Sequence, residues 1–177
     1  MVKYVKGNPD FLYGVMNLLK KIREQFKENG LNIYQNEEYP NMEIILNDLR
    51  NKDSTLIALD GDEVVGYIAS EREEEFFKDC FDGFPKDYLN KYGLDIYQGR
   101  FIGFSRLMVD PNYQHQGIAT KLFELLEKKF EGYIIIFLVD KANRKAQRLY
   151  AELGYKCLSL EKFPYGEYYV YIKNKLM

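Results

Sequence analysis

The chain has few of the residues from which metal sites, disulfide frameworks and hydrolytic triads are built. It contains one histidine, His115, and two cysteines, Cys80 and Cys157, which lie far apart without the paired spacing of metal ligands. A Ser-His-Asp triad would have to use that single histidine, and no cluster of His and Cys is available for zinc. We therefore expect free thiols, no bound metal and no triad-based hydrolysis.

Long hydrophobic runs and a large excess of one charge are absent as well. The longest uninterrupted apolar run, residues 133–139, is far shorter than the ~20 residues that span a bilayer. The N-terminus lacks the apolar stretch of a signal peptide. The formal charge of −2 does not create the positive potential that attracts nucleic acid or an anionic membrane. We predict a cytoplasmic protein that binds neither nucleic acid nor a membrane.

The residues that are present predict one globular domain. Hydrophobic residues make up 46% and charged residues 29% of the 177 positions, a balance typical of a packed core with a polar surface. A chain of this length buries about two thirds of its unfolded surface when it folds as one unit. We expect a single domain over residues 1–177.

Apolar runs bounded by glycine, proline and polar turns predict a mixed α/β sheet. Strands are expected at 2–6, 55–60, 63–70, 100–109, 133–139, 155–160 and 167–173. Helices are expected at about 9–29, 39–51, 117–131 and 141–153. A strand, a helix and a buried strand follow one another between 100 and 139, which predicts a parallel βαβ unit. We interpret the acidic and aromatic residues 71–99 as an insertion with one or two short helices before the fourth strand.

A glycine turn between the fourth strand and the third helix predicts an anion site. Gln114, Gly117 and Ala119 form a Q-x-x-G-x-A pattern directly before an apolar helix. Gly117 can adopt a backbone conformation that a side chain would penalise, and the first N–H groups of a helix have no intrahelical acceptor. A pyrophosphate would satisfy these groups at the positive end of the helix dipole. An ordinary strand-to-helix turn fits the same short pattern.

The fourth predicted helix carries a second motif. Asn143, Ala146 and Tyr150 are spaced i, i+3 and i+7, so they share one helix face, with the first and last about 10 Å apart along the axis. A long ligand would fit along this face. The alternative is a helix that simply packs into the core, with core contacts through Ala142, Ala146, Leu149 and Leu153.

Together, the two motifs resemble those of the GNAT superfamily of N-acetyltransferases, over about residues 56–173 and most specifically over 101–155. The resemblance implies a GNAT-like fold, with a central mixed sheet of about seven mostly antiparallel strands, a splayed parallel pair and about four helices. It also implies an enzyme that transfers the acetyl group of acetyl-CoA to a primary amine of a small molecule or peptide. The amine would attack directly in a ternary complex.

The resemblance further implies roles for individual residues. Tyr150 would donate a proton to the departing CoA thiolate, a role that suits a phenol. The backbone of the fourth strand would bind the pantetheine, the glycine turn the pyrophosphate, and the fourth helix the cofactor arm. The expected cofactor contacts are Leu107, Met108, Val109, Gln114, Gln116, Gly117, Ala119, Thr120, Asn143 and Ala146.

The sequence leaves the general base and the role of the insertion open. Some family members carry a catalytic Glu on the fourth strand, whereas residues 100–109 contain no carboxylate. Loop acids at 37–38 and 73–75 are candidate bases, and Tyr67 and Tyr97 are candidate substrate contacts. The insertion is either a substrate lid that favours cationic or aromatic amines, or a surface elaboration or oligomer contact.

Two other functional classes compete with the enzyme. A non-catalytic acyl-CoA sensor would keep the glycine turn but would need neither Tyr150 nor a base. A nucleic-acid binder that uses the basic residues of the fourth helix is disfavoured, because these residues share that helix with the cofactor face in an acidic chain. A homodimer paired through the strand at 168–171 is one assembly that the sequence allows.

Overall fold

The chain forms a mixed sheet flanked by helices. The computed structural model describes residues 1–51, 55–72 and 100–174. Within these residues the strands are β1 (Lys3–Lys6), β2 (Thr55–Asp60), β3 (Glu63–Arg72), β4 (Arg100–Val109), β5 (Tyr133–Asp140), β6 (Lys156–Phe163) and β7 (Gly166–Asn174). The α-helices of the same residues are α1 (Leu12–Glu28), α2 (Met42–Arg50), α3 (Ile118–Lys129) and α4 (Arg144–Glu152).

The sheet has the strand order β1-β2-β3-β4-β5-β7-β6. β1 with β2, β2 with β3, β5 with β7, and β6 with β7 are antiparallel, whereas β4 and β5 are parallel. The predicted parallel βαβ unit and the predicted mixed, mostly antiparallel sheet are therefore confirmed. Among the described residues, no helix has the length and apolar character needed to cross a bilayer.

The chain divides into two compact units. The first unit contains residues 1–70 and 106–126, and the second contains 71–105 and 127–177. All three boundaries fall inside secondary structure, within β3, β4 and α3, rather than in a linker. The single domain expected from the sequence stays a prediction.

The first unit is built around the amphipathic helix α1. The helix buries Val15, Leu18, Leu19 and Ile22, whose i, i+3, i+4 and i+7 spacing forms one apolar stripe. These side chains join a hydrophobic cluster with buried residues of α2 and the sheet, among them Ile45, Leu49, Tyr67 and Met108. Burial of each large apolar side chain contributes about 1.5–3 kcal/mol relative to exposure. The cluster therefore fixes α1 and α2 on the sheet.

The second unit is built around β5. Four consecutive β5 residues, Ile134, Ile135, Ile136 and Phe137, are buried, as expected for a strand covered on both faces. β7 pairs with β5 along one edge and with β6 along the other. The strand at 168–171 is therefore internal, and the two-fold pairing suggested for it from the sequence is wrong.

Helix starts are the main difference from the predicted boundaries. α2 begins at Met42 rather than at Tyr39, because the side chain of Asn41 accepts a hydrogen bond from the Ile44 N–H and ends the loop there. α4 begins at Arg144 rather than at Lys141, because Asn143 occupies the corresponding cap position. Asn is among the preferred N-cap residues, so both starts could have been predicted.

The insertion expected at 71–99 begins later than predicted, because its first two residues belong to β3. β3 continues to Arg72, two residues into the insertion expected at 71–99. The short helices expected there, with Tyr97 and the acids at 73–75, lie outside the described residues, as does Cys80.

Candidate active site

β4 and β5 stop pairing before either strand ends. Their parallel register runs from Arg100 with Tyr133 to Gly103 with Ile136. β4 nevertheless continues through Phe104 and Ser105, and β5 continues through Phe137. Backbone N–H and C=O groups beyond a ladder need other partners. An extended amide-containing ligand can supply them.

A residue with a left-handed backbone conformation follows on β4. Arg106 has a φ of 52°, in the left-handed region, and its guanidinium forms two hydrogen bonds of 2.8 Å to the two carboxylate oxygens of Asp48. The Tyr67 hydroxyl donates to the same carboxylate over 2.6 Å. Arg106 also donates to the Tyr39 hydroxyl over 2.9 Å. This polar cluster joins α2, β3, β4 and the loop before α2.

The polar cluster changes the expectation for Tyr67. Its side chain is fully buried, and burial raises its pKa, with the Asp48 charge as a further cause. The substrate contact suggested for Tyr67 is therefore wrong, because the phenol is enclosed and bonded to Asp48. Sequence patterns missed the cluster since Asp48 and Arg106 lie 58 residues apart.

A short turn after β4 is held by two side-chain anchors. The fully buried carboxylate of Asp110 accepts hydrogen bonds from the Lys21 ammonium at 2.6 Å and from the Asn112 N–H at 2.9 Å. The Gln114 side chain donates to the Val109 carbonyl and exchanges hydrogen bonds with Gln25. Both anchors fix the chain as it enters α3.

The turn into α3 has the backbone geometry of an anion site. His115 and Gly117 both have positive φ angles, 63° and 77°, and residues 115–117 are exposed or half-buried. A Cβ on Gly117 would meet no atom within 4 Å, so glycine is favoured there by its conformation and not by crowding. The space beside the turn is open to a pyrophosphate, which fits the N–H groups of the first helical turn.

A second glycine, Gly66, allows α3 to pack closely on the sheet. A Cβ on Gly66 of β3 would lie 2.9 Å from Ile118 and 3.2 Å from Leu122. The first turns of α3 therefore pack directly on the β3 backbone. A glycine inside a strand often marks such a close approach, and this signal was available in the sequence.

Tyr150 of α4 lies in an aromatic cluster at β5. Its side chain is 8% exposed, and its ring centroid is 4.6 Å from that of Phe137 and 5.8 Å from that of Tyr171. Burial, with Tyr171 as a second cause, raises the pKa of the Tyr150 phenol. The phenol is therefore protonated at neutral pH and has a proton to donate.

A partly buried ion pair holds the C-terminal end of α4. Lys173 donates to the Leu153 carbonyl over 2.6 Å and pairs with Glu127 at 2.9 Å. The Tyr155 hydroxyl donates to the same Glu127 over 2.8 Å, and the Tyr155 N–H donates to the Tyr150 carbonyl over 2.9 Å. These contacts fix the helix turn that carries Tyr150, and no sequence pattern indicated them.

The residues predicted to bind the cofactor fall into two groups. Gln114, Gln116, Gly117, Ala119 and Thr120 lie together at the start of α3, and Ala146 lies on α4 with Tyr150. Asn143 is the N-cap of α4, and its side-chain oxygen accepts from the Ala146 N–H at 3.1 Å. Its amide NH2 is the part that can still donate to a ligand.

The three β4 residues predicted to bind the pantetheine differ in their surroundings. Met108 is 1% exposed and belongs to the core cluster of the first unit, so only its backbone can serve a ligand. The Val109 carbonyl accepts from Gln114, and Leu107 is half-buried. Among the described residues, no group of three His, Cys, Asp or Glu side chains is placed to hold a metal ion.

Comparison with known families agrees with this arrangement. The sequence model of the Acetyltransferase (GNAT) family matches residues 16–155. The chain belongs to this family. The family resemblance read from the two motifs is thus confirmed, and GNAT proteins are acyltransferases as a class. No curated protein sequence matches the chain.

Solved GNAT structures share the fold across nearly the whole chain. An acetyltransferase from Streptococcus agalactiae is 18% identical with a TM-score of 0.78, and the match covers 99% of this chain and 96% of that one. The PaiA N-acetyltransferase from Thermoplasma acidophilum, solved with coenzyme A, is 16% identical with a TM-score of 0.67, covering 98% and 99%. The diaminobutyrate acetyltransferase EctA from Paenibacillus lautus, solved with L-2,4-diaminobutyric acid and coenzyme A, is 15% identical with a TM-score of 0.66, covering 100% and 96%.

Proposed function

We propose that this chain transfers the acetyl group of acetyl-CoA to a primary amine on a small molecule or peptide. The amine attacks the thioester directly while both substrates are bound. The observation that carries this proposal is the position of Tyr150 against Phe137, because Phe137 directly follows the last β5 residue that pairs with β4. A proton donor thus stands where the parallel ladder ends.

The proton state of Tyr150 supports its role as an acid. Departure of CoA leaves a thiolate that needs a proton, and a phenol can supply it. Since burial raises the pKa of Tyr150, the phenol keeps its proton through the neutral range and has it available for the leaving sulfur. The aromatic contacts with Phe137 and Tyr171 limit where its hydroxyl can point.

The cofactor side of the proposal rests on the turn into α3. Acetyl-CoA supplies the activated acyl group, and its pyrophosphate is matched by the N–H groups that follow Gly117. Two structural neighbours were solved with coenzyme A, one of them with a diamine amino acid as its substrate. This supports a CoA thioester as the donor and an amine as the acceptor.

Cys157 is a poor candidate for the nucleophile of an acyl-enzyme. Partial desolvation raises the pKa of its thiol, which lowers the thiolate fraction that a nucleophile needs. We therefore expect the acetyl group to pass to the amine without forming a thioester with Cys157.

The proposal is tested by acetyl-CoA-dependent release of free thiol with a panel of polyamines, amino acids, aminoglycosides and short peptides. We expect at least one amine to accelerate release well above the rate with water. Tight acetyl-CoA binding in calorimetry without release by any amine would contradict the transferase and favour a non-catalytic acyl-CoA sensor.

A further inference from the structure

A carboxylate of β3 lies against the part of β4 that continues beyond the parallel ladder. Ser105 Oγ donates a hydrogen bond of 2.9 Å to Oε1 of Glu71, and both side chains are half-buried. Ser105 is the second residue after Gly103, where the pairing of β4 with β5 ends. β4 itself has no carboxylate, whereas acyl transfer to a protonated amine needs a proton acceptor.

The candidate acid, Tyr150 of α4, packs against the other strand, β5, at the same end of the ladder. Ile136 is the last β5 residue that pairs with β4, and the next residue, Phe137, contacts the ring of Tyr150. A hydroxyl that is hydrogen-bonded to a carboxylate thus lies on β4, and a phenol packs against β5. The acceptor amine loses a proton during acyl transfer, and the leaving CoA thiolate gains one. Each therefore needs a side chain that can exchange a proton with it.

We propose that Ser105 and Glu71 form a proton relay for the acceptor amine, an inference that rests on the proposed function. A proton of the bound ammonium passes to Ser105 Oγ while the Ser105 hydroxyl proton passes to Glu71 Oε1. The neutral amine then attacks the thioester carbon, so that the C–N bond forms and the C–S bond breaks. Tyr150 gives its proton to the departing sulfur and regains one from the new amide nitrogen.

The protons and charges of this sequence balance. One ammonium, one thioester and one carboxylate become one amide, one free thiol and one carboxylic acid. Glu71 then returns its proton to water, which exposure of the half-buried carboxyl allows. No acyl group is attached to the protein at any step.

The relay also predicts the class of acceptor. A lysine-type amine has a pKa of about 10.4 and is almost fully protonated at neutral pH, whereas a peptide α-amine has a pKa of about 7.8. At pH 7 about one in seven peptide amines is already neutral and reacts without the relay, whereas only about one in 2,500 lysine-type amines is neutral. The negative charge of Glu71 also attracts a cation, so a strongly basic alkyl amine is the acceptor that the site fits.

The relay is tested with Glu71→Gln, which keeps the shape of the side chain and one acceptor oxygen but cannot take the proton. Two acceptors of different basicity are compared, Nα-acetyllysine amide and glycylglycine amide. We expect kcat/KM at pH 7 to fall about 100-fold with the lysine amine and clearly less with the peptide amine. The loss should shrink as the pH is raised. Glu131→Gln, at an exposed residue, is the matched control and should act as wild type.

Ser105→Ala separates a relay from a direct base. It should lose as much as Glu71→Gln, and the double variant should lose no more than either single variant, because the two groups act in one step. Two binding readouts are independent of turnover. Acetyl-CoA affinity should be unchanged in Glu71→Gln, and Nα-acetyllysine amide should bind several-fold more weakly to the CoA-saturated variant than to the wild type.

The results that would contradict the relay differ from those that would contradict the transferase. Equal losses with both amines at every pH would make Glu71 and Ser105 a structural cross-strand pair. Multiplied losses in the double variant would mean that the two residues act independently. Either result would overturn the relay alone. No thiol release by the wild-type chain with these two amines or with any amine of the panel would overturn the transferase, and the relay with it.

Discussion

The turn into α3 and the aromatic cluster around Tyr150 present opposite kinds of candidate site. The turn is largely exposed, and its chemistry lies in backbone N–H groups that follow a positive-φ glycine. The cluster is buried, and its chemistry lies in one side chain whose pKa is raised by its neighbours. We propose that the turn holds an anion and that the cluster controls one proton.

This difference has consequences for mutation. A backbone site tolerates changes of side chain as long as the conformation persists, whereas a buried proton donor depends on one hydroxyl. Substitutions at the turn should therefore change cofactor affinity, and removal of the Tyr150 hydroxyl should change turnover. A turn variant that changes turnover but not cofactor affinity, or a Tyr150 variant that changes affinity but not turnover, would contradict this assignment of roles.

The largest effect is expected for Tyr150→Phe. The ring keeps its contacts with Phe137, but the proton for the leaving thiolate is lost, so kcat should fall about 100-fold or more. The Kd of acetyl-CoA, measured by calorimetry, should hardly change. Tyr171→Phe is the matched control, since it removes a hydroxyl from the same aromatic cluster, and its kcat should stay near that of the wild type. A large affinity loss in Tyr150→Phe at unchanged kcat would contradict the acid role.

A smaller effect is expected for Gly117→Ala. A non-glycine residue at this φ costs about 1–2 kcal/mol, so the turn shifts away from its binding conformation and the Kd of acetyl-CoA should rise about tenfold. Gly30→Ala is the control, because Gly30 also has a positive φ, 69°, and a Cβ there would likewise meet no atom within 4 Å. It should lose similar stability without a change in Kd. Equal Kd values for the two variants would remove the turn from the cofactor site.

The smallest effect is expected in the alkaline stability of the second unit. Burial raises the pKa of Tyr150 and of Tyr155, for which the Glu127 charge is a further cause. Above pH about 10 the unfolded chain releases phenol protons that the folded chain retains, so the free energy of unfolding should fall as pH rises and stay level below that point.

Tyr155→Phe tests the contribution of one phenol to this slope. Urea unfolding between about pH 9 and 11 should show a shallower decline in the variant, by up to about 1.4 kcal/mol per pH unit. An unchanged slope would mean that Tyr155 is not the group that keeps its proton in the folded state.

The sequence predicted the features that arise from local conformation. Gly117 marked the turn into α3, and the apolar run of β5 marked a strand covered on both faces, so the parallel unit followed. Both depend on residues close together in the chain. The helix starts set by Asn41 and Asn143 are local as well, since each follows from one capping side chain, but the sequence analysis predicted both about three residues too early.

The missed features depend on residues far apart in the chain. Ser105 and Glu71 are separated by 34 positions and Glu127 and Lys173 by 46, and no periodic pattern links such pairs. The strand order of the folded sheet also decides which strands lie at an edge, which is why the two-fold pairing suggested for the strand at 168–171 is wrong. Long-range polar pairs are selected by the assembled sheet rather than by local propensity.

Direct transfer from acetyl-CoA to the amine is tested most directly by mass spectrometry of a reaction that contains the chain, acetyl-CoA and an amine accepted in the thiol-release assay. We predict that the amine gains the mass of one acetyl group while the mass of the chain stays unchanged at every time point. An acetylated chain that forms and decays during turnover would contradict direct attack. Thiol release without an acetylated amine would contradict the transferase itself.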